Sequence, residues 1–162
     1  RNVRIHELPD TPVSPAETAI ANRGFDCLYR GVDLDGWKTA EGWNPKDWIL
    51  AYDGNQRSTL ETEATFSNFE FVIDFLFPEG AKSAAIVLAG AKIELDPKDY
   101  KPKHWNRIEG EFGNNTLRYT INRERSSGID WSGSTTAHGP IQLISNSPME
   151  WANIYVRMMD EG

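Results

Sequence analysis

Phe69-Glu70-Phe71-Val72-Ile73-Asp74-Phe75-Leu76-Phe77 is the stretch that decides the fold. Every odd position is large and apolar. In a strand successive side chains point to opposite faces, so these odd positions form one continuous apolar face that must be buried. The even positions, Glu70, Val72, Asp74 and Leu76, mix acids with aliphatic groups and predict a face that is only partly covered.

Outward from this segment, strand signals recur at residues 47–52, 58–63, 83–88, 91–95, 105–112, 116–122, 140–144 and 150–158, separated by Gly, Pro, Asn and Asp. Helical periodicity is confined to a turn or two at residues 15–22. Many short strands at regular spacing predict an all-β fold, an antiparallel two-sheet β-sandwich or jelly roll, and not a parallel α/β sheet. A chain of 162 residues fits one such domain.

The formal charge of −7 argues against a nucleic-acid partner, which requires clustered cations, and against an anionic membrane surface. No apolar run is long enough to span a bilayer as a helix. Cys27 is the sole cysteine and cannot form an intrachain disulfide. It shares a short strand with Phe25 and Tyr29, and the spacing predicts a small inward-facing hydrophobe.

Residues 9–22 are proline-rich and read as a linker. Before them, Asn2-Val3-Arg4-Ile5-His6 echoes Asn153-Ile154-Tyr155-Val156-Arg157 near the other end of the chain. Internal similarity at long spacing is a sign of tandem arrays. The expectation is therefore an N-terminal extension over 1–23, with 1–8 as the last strand of a preceding similar domain, and a sandwich over 24–162. Tandem neighbouring domains are the implied partners.

Several side chains are candidates for chemistry. Glu94 stands between Ile93 and Leu95 on a strand expected to be central, so it projects from the face opposite them, where a carboxylate can accept sugar hydroxyls, act as a base or ligate a hard divalent ion such as Ca²⁺. Trp105, Arg107, Glu109 and Glu111 share one face of the next long strand and form an aromatic platform with charged flanks if Ile108 and Phe112 point inward. Glu70 and Asp74, with Glu61 and Glu63, would give an acidic groove for a polyol or cation. His104 and His138 fall in loops, where either could donate a proton near neutral pH. For each the bland alternative is a solvated or ion-paired surface group. No Ser-His-Asp set, phosphate loop or cysteine metal cluster is evident.

An ordered set of motifs adds to this reading. It begins at Gly24-Phe25-Asp26-Cys27-Leu28-Tyr29-Arg30-Gly31-Val32-Asp33-Leu34-Asp35-Gly36-Trp37 and continues through Trp48 to Gly54, Leu60-Glu61-Thr62, Phe69-Glu70-Phe71, Ile93-Glu94-Leu95 and Trp105-Asn106. It closes on Gly139-Pro140-Ile141-Gln142-Leu143 and Trp151-Ala152-Asn153-Ile154. In this order the motifs resemble the 3-keto-disaccharide hydrolase-like domain, a bacterial carbohydrate-active family with a concanavalin A-like sandwich. The resemblance implies a carbohydrate partner, a secreted or periplasmic location, and Trp37, Trp43 and Trp48 as core or end-cap aromatics. It also implies Glu94 as base or metal ligand, Arg107 as the cationic partner of a carbonyl oxygen, and Glu109 or His104 as proton donor. Trp105, Glu70, Asp74, Glu61 and His138 would then line the sugar.

The chain departs from the family pattern where chemistry is expected. Lys82-Ser83-Ala84-Ala85-Ile86 lacks the Asn, Gly and Arg usual there, and Ile144-Ser145-Asn146 replaces the usual Gln and His. These departures favour the alternative, a non-catalytic glycan-binding or domain-packing module.

Overall fold

The computed structural model describes residues 23–114, 116–125, 129–130 and 138–159. The expected linker, the helical turn at 15–22 and the strand expected at 1–8 lie outside the described residues. Among those described, the strands are β1 (Asp26–Cys27), β2 (Trp43–Lys46), β3 (Ile49–Tyr52), β4 (Ser58–Glu61), β5 (Phe69–Leu76), β6 (Ala84–Leu88), β7 (Ala91–Leu95), β8 (Trp105–Gly113), β9 (Thr116–Ile121), β10 (Glu124–Arg125), β11 (Ile129–Asp130), β12 (Ile141–Ser145) and β13 (Met149–Met158). A 3₁₀ turn at Pro97–Asp99 is capped by Asp96, whose side chain accepts from Lys98 N at 3.0 Å.

The strands form two antiparallel sheets. The larger runs β10-β9-β8-β5-β13-β3-β2, with β1 added to β13 and β11 to β9. The smaller runs β4-β12-β6-β7. Phe69, Phe71, Ile73, Phe75 and Phe77 are all buried between them, as the alternation requires. Phe75 makes ring contacts with Phe77, Tyr100 and Trp151, and Phe69 with Phe66, Phe71 and Phe112. The smaller sheet contributes Leu60, Ile86, Leu88, Ile93, Leu95, Ile141 and Leu143 to the same core. Burial of these aromatic and aliphatic side chains is what drives the two sheets together.

Buried indoles carry a polar N–H that needs an acceptor, and three tryptophans show how the fold meets this. Trp37 Nε1 donates to Leu28 O at 2.7 Å, Trp43 Nε1 to Ser58 Oγ at 2.9 Å and Trp151 Nε1 to Ser145 Oγ at 3.2 Å.

Some expectations are corrected. Trp48 is 46% exposed at the β2–β3 turn and belongs neither to the core nor to an end cap of it. Residues 47–52 were expected as one strand, but Asp47 takes a left-handed conformation (φ 54°) and turns the chain between β2 and β3. Strand β2 itself is missed because Pro45 argues against a strand, yet β2 ends the sheet, where a missing N–H is tolerated. Cys27 is half-buried opposite Tyr155, with its Sγ donating to Tyr29 O at 2.9 Å, and lies outside the core cluster. Strand β7 is the edge of the smaller sheet among the described residues, so Glu94 is not on a central strand.

Candidate functional site

The pairing register of β5 and β8 decides which side chains meet. Ile73 stands opposite Ile108 and Phe69 opposite Phe112, all buried in the core, so Glu70, Val72, Asp74 and Leu76 share the outer face with Trp105, Arg107, Glu109 and Glu111. Strand β9 adds Arg118 opposite Glu111 and Thr120 opposite Glu109. Strand β13 adds Arg157 opposite Glu70 and Tyr155 opposite Val72.

Three rows therefore cross the larger sheet. The first is Arg157-Glu70-Glu111-Arg118, in which an arginine closes each end on the nearer acid. Arg157 pairs with Glu70, and Arg118 Nη1 donates to Glu111 Oε1 at 3.1 Å. Arg157 also lies over the Phe25 ring, 4.8 Å from its centroid, and Arg157 Nη1 donates to Arg23 O at 2.7 Å. This fixes the aromatic ring of the opening segment against the sheet.

The second row, Tyr155-Val72-Glu109-Thr120, is less saturated. Glu109 is half-buried, and its carboxylate has no hydrogen bond or ion pair among the described residues. Above these two rows lies an open depression of about 600 Å³, lined by Phe25, Glu70, Val72, Glu109, Glu111, Arg118 and Thr120 among others. That size is in the range of small-molecule sites. Between these rows β8 and β9 approach closely at Gly110, where a Cβ would stand 2.1 Å from Arg118 O.

The third row is closed. Arg107 donates to both oxygens of Asp74, from Nε at 2.7 Å and from Nη2 at 2.9 Å, and Asn153 Nδ2 donates to the same carboxylate at 2.7 Å. Asn153 reaches it from a bulge between Ala152 and Tyr155, where its φ is 47°. Burial is the main reason the Tyr155 hydroxyl is pushed up to about 12, with Cys27 beside it adding to the effect. Burial likewise raises the Cys27 thiol above its ordinary value.

The structure does not bring the expected site residues together. Glu70 and Glu109 line the depression. Asp74 and Arg107 sit beside it, locked on each other, and Trp105 follows on the same face, half-buried. His104 is in the exposed loop before β8, with Nδ1 2.9 Å from Pro102 O. Glu61 and Glu94 belong to the other sheet. Glu61 pairs with Lys38 and accepts from Gln142 Nε2, and these two partners lower its pKa. Glu94 pairs with Lys92. His138 is exposed, its Nε2 3.1 Å from Thr65 Oγ1.

Glu94 and Arg107 thus project from opposite outer faces of the sandwich, and one site cannot use both. The acidic groove of Glu61 with Glu70 and Asp74 fails for the same reason. Glu111 lines the depression from the β8 face on which the sequence placed it, whereas Arg118, Thr120 and Phe25 were not read as site residues from sequence. Arg118 and Thr120 follow from the alternation of β9 only once its register against β8 is known. No group of three or more His, Cys, Asp or Glu among the described residues is arranged to hold a metal ion.

No family model matches the chain, and no curated protein does. Solved structures do. A "putative glycosyl hydrolase" from Parabacteroides distasonis superposes with a TM-score of 0.75 at 13% identity, covering 93% of this chain and 100% of that one. The carbohydrate binding module CBM66 from Bacillus subtilis gives 0.64 at 13% identity, over 75% of this chain and 95% of the module. The exoplasmic/lumenal domain of VIP36, solved with Ca²⁺ and Man3GlcNAc, gives 0.56 at 8% identity, over 86% and 90%. At such identities the likeness is one of fold. The chain is a concanavalin A-like sandwich of two antiparallel sheets.

Proposed function

We propose that this chain is a carbohydrate-binding domain whose sugar site is the depression on the outer face of the larger sheet. The observation that carries the reading is Glu109, a half-buried carboxylate without a partner among the described residues, facing an open depression beside a threonine hydroxyl and a fixed aromatic ring. Sugar hydroxyls need ionic or strong neutral acceptors, and the apolar face of a pyranose needs an aromatic or aliphatic surface. Glu109 and Thr120 supply the first, Phe25 and Val72 the second. The setting proposed is a secreted or periplasmic protein with neighbouring domains.

Cleavage of a 3-keto sugar is the second reading, favoured by the same residue. A ketone at the third carbon acidifies the adjacent C–H. Glu109 would take that proton as the C1–O bond breaks, a C1=C2 bond forms, and the leaving alkoxide is protonated from Glu109 or water before water adds back.

Titration calorimetry of neutral oligosaccharides and 3-keto-glucosides, with turnover followed in parallel, tests both. Glu109→Gln should weaken binding at least ~10-fold, as loss of a charged acceptor does, while Glu94→Gln changes nothing. Binding without turnover supports the module. Turnover abolished in Glu109→Gln supports the enzyme. Binding unaffected by Glu109→Gln refutes the site.

A further inference from the structure

The smaller sheet ends at β7, whose sequence Ala91-Lys92-Ile93-Glu94-Leu95 has opposite charges placed symmetrically about Ile93. The β6–β7 hairpin turns through Ala89 (φ 47°) and Gly90 (φ 97°), and Leu88 faces Ala91 across that two-residue loop. Two left-handed residues in such a loop close on a hydrogen-bonded pair. Ala91, Ile93 and Leu95 therefore direct their backbone groups at β6, and Lys92 and Glu94 direct theirs at the open edge. Among the described residues no strand pairs on that side, and no other backbone hydrogen bond reaches Lys92 or Glu94.

Exposed edges are ordinarily blunted by a bulge, a proline or an unpaired lysine. Strand β7 has a continuous register with β6 and no proline, and Lys92 is neutralised by Glu94 on the same outer face. The side chains of both remain accessible, at 41% and 65%.

We propose that β7 pairs antiparallel with β7 of a second copy of this chain, about a two-fold axis at Ile93, so that the smaller sheet runs on through both copies. In that register Lys92 stands opposite Glu94 of the second copy, and Glu94 opposite its Lys92, with an ion pair on each side of the axis. The free N–H and C=O groups of Lys92 and Glu94 are the ones that face each other and complete the ladder. Charge also fixes the register, because a slip that centres the axis on Lys92 or on Glu94 sets like charges opposite. The contact is isologous and closes after two copies, whereas pairing β7 with a different edge of a second copy would propagate. It lies on the sheet that does not carry the sugar depression, so it stands or falls independently of the proposed function.

Sedimentation equilibrium over a wide concentration range tests this on the full chain. The wild type should dimerise. Lys92→Glu alone and Glu94→Lys alone should each weaken self-association at least ~10-fold by facing like charges across the axis. An equimolar mixture of the two variants should restore the dimer as a heterodimer, and the doubly swapped chain should dimerise as the wild type does. Circular dichroism confirms that the exposed substitutions leave the fold intact. A wild type monomeric throughout, or variants that associate as the wild type does, would overturn the inference.

Discussion

Replacing Asp74 by Ala should be among the most damaging single changes outside the core. The Asp74 side chain is 3% exposed and accepts from Arg107 twice, at 2.7 and 2.9 Å, and from Asn153 at 2.7 Å. Among the described residues no buried side-chain polar atom lacks a partner, so the network is satisfied before the change and broken after it. Removing one member of a buried ion pair costs about 3–5 kcal/mol, because the other charge stays behind uncompensated. Arg107 retains 15% exposure, so water reaches part of the guanidinium and pulls the figure to the lower end. The orphaned Asn153 amide adds about 1 kcal/mol. The sum is about 4 kcal/mol, a large share of a typical domain's stability, and lowers Tm by roughly 10 °C. Urea denaturation read by tryptophan fluorescence measures it as a shift in midpoint at constant slope. The double variant Asp74→Leu with Arg107→Met removes both charges and should recover most of the loss. A cost below about 1 kcal/mol for Asp74→Ala, or a double variant as unstable as the single one, would refute the reasoning, since it rests on burial of an unpaired charge.

Two further perturbations read other parts of the fold. Gly110→Ala places a Cβ 2.1 Å from Arg118 O and 2.7 Å from Tyr119 Cα, both backbone, so β8 and β9 must separate; a loss of about 2–3 kcal/mol is expected in the same urea assay, together with weakened sugar binding. Alkaline titration should destabilise the domain: Tyr100 and Tyr155 are raised from 10.0 to about 12, chiefly by burial, so their contribution is full below the unfolded value and is lost as pH rises from 10 to 12. Tyr100→Phe and Tyr155→Phe should flatten that loss, and a wild-type stability constant up to pH 12 would contradict it.

The sandwich was legible because burial writes itself into a strand at every second residue. Phe69 to Phe77 announced one core face, and residues 91–95 were bounded correctly by Gly90 and Pro97. Sheet membership was not legible, since alternation says which side chains share a face of one strand and nothing about which strands are neighbours. Glu94 and Arg107 each projected outward as expected, yet from different sheets. Asp74 looked like a free groove acid because its partners, Arg107 and Asn153, lie 33 and 79 residues away in sequence. The Asn153 contact also depends on a bulge that no local pattern signals.

Three of the motifs that carry the family resemblance hold the framework together. In Leu60-Glu61-Thr62, Leu60 is core and Thr62 Oγ1 donates to Ala64 O at 2.8 Å while accepting from Ile141 N at 3.0 Å. In Trp105-Asn106, Asn106 Nδ2 donates to His104 O at 3.0 Å and its Oδ1 accepts from Asn122 at 2.9 Å, tying the start of β8 to the end of β9. In Trp151-Ala152-Asn153-Ile154, the indole fills the core and the asparagine anchors the bulge. Each residue is there to satisfy a buried polar group or to fill the space between the sheets, a demand set by the fold whatever the ligand. A sequence can therefore keep these three motifs while its ligand chemistry changes. Phe25, Glu109, Arg118 and Thr120 line the depression, and none of the framework hydrogen bonds just named runs through them. It follows that substitution of Asn106 should cost stability and leave sugar choice intact, whereas substitution of Glu109 should alter sugar binding at nearly constant stability.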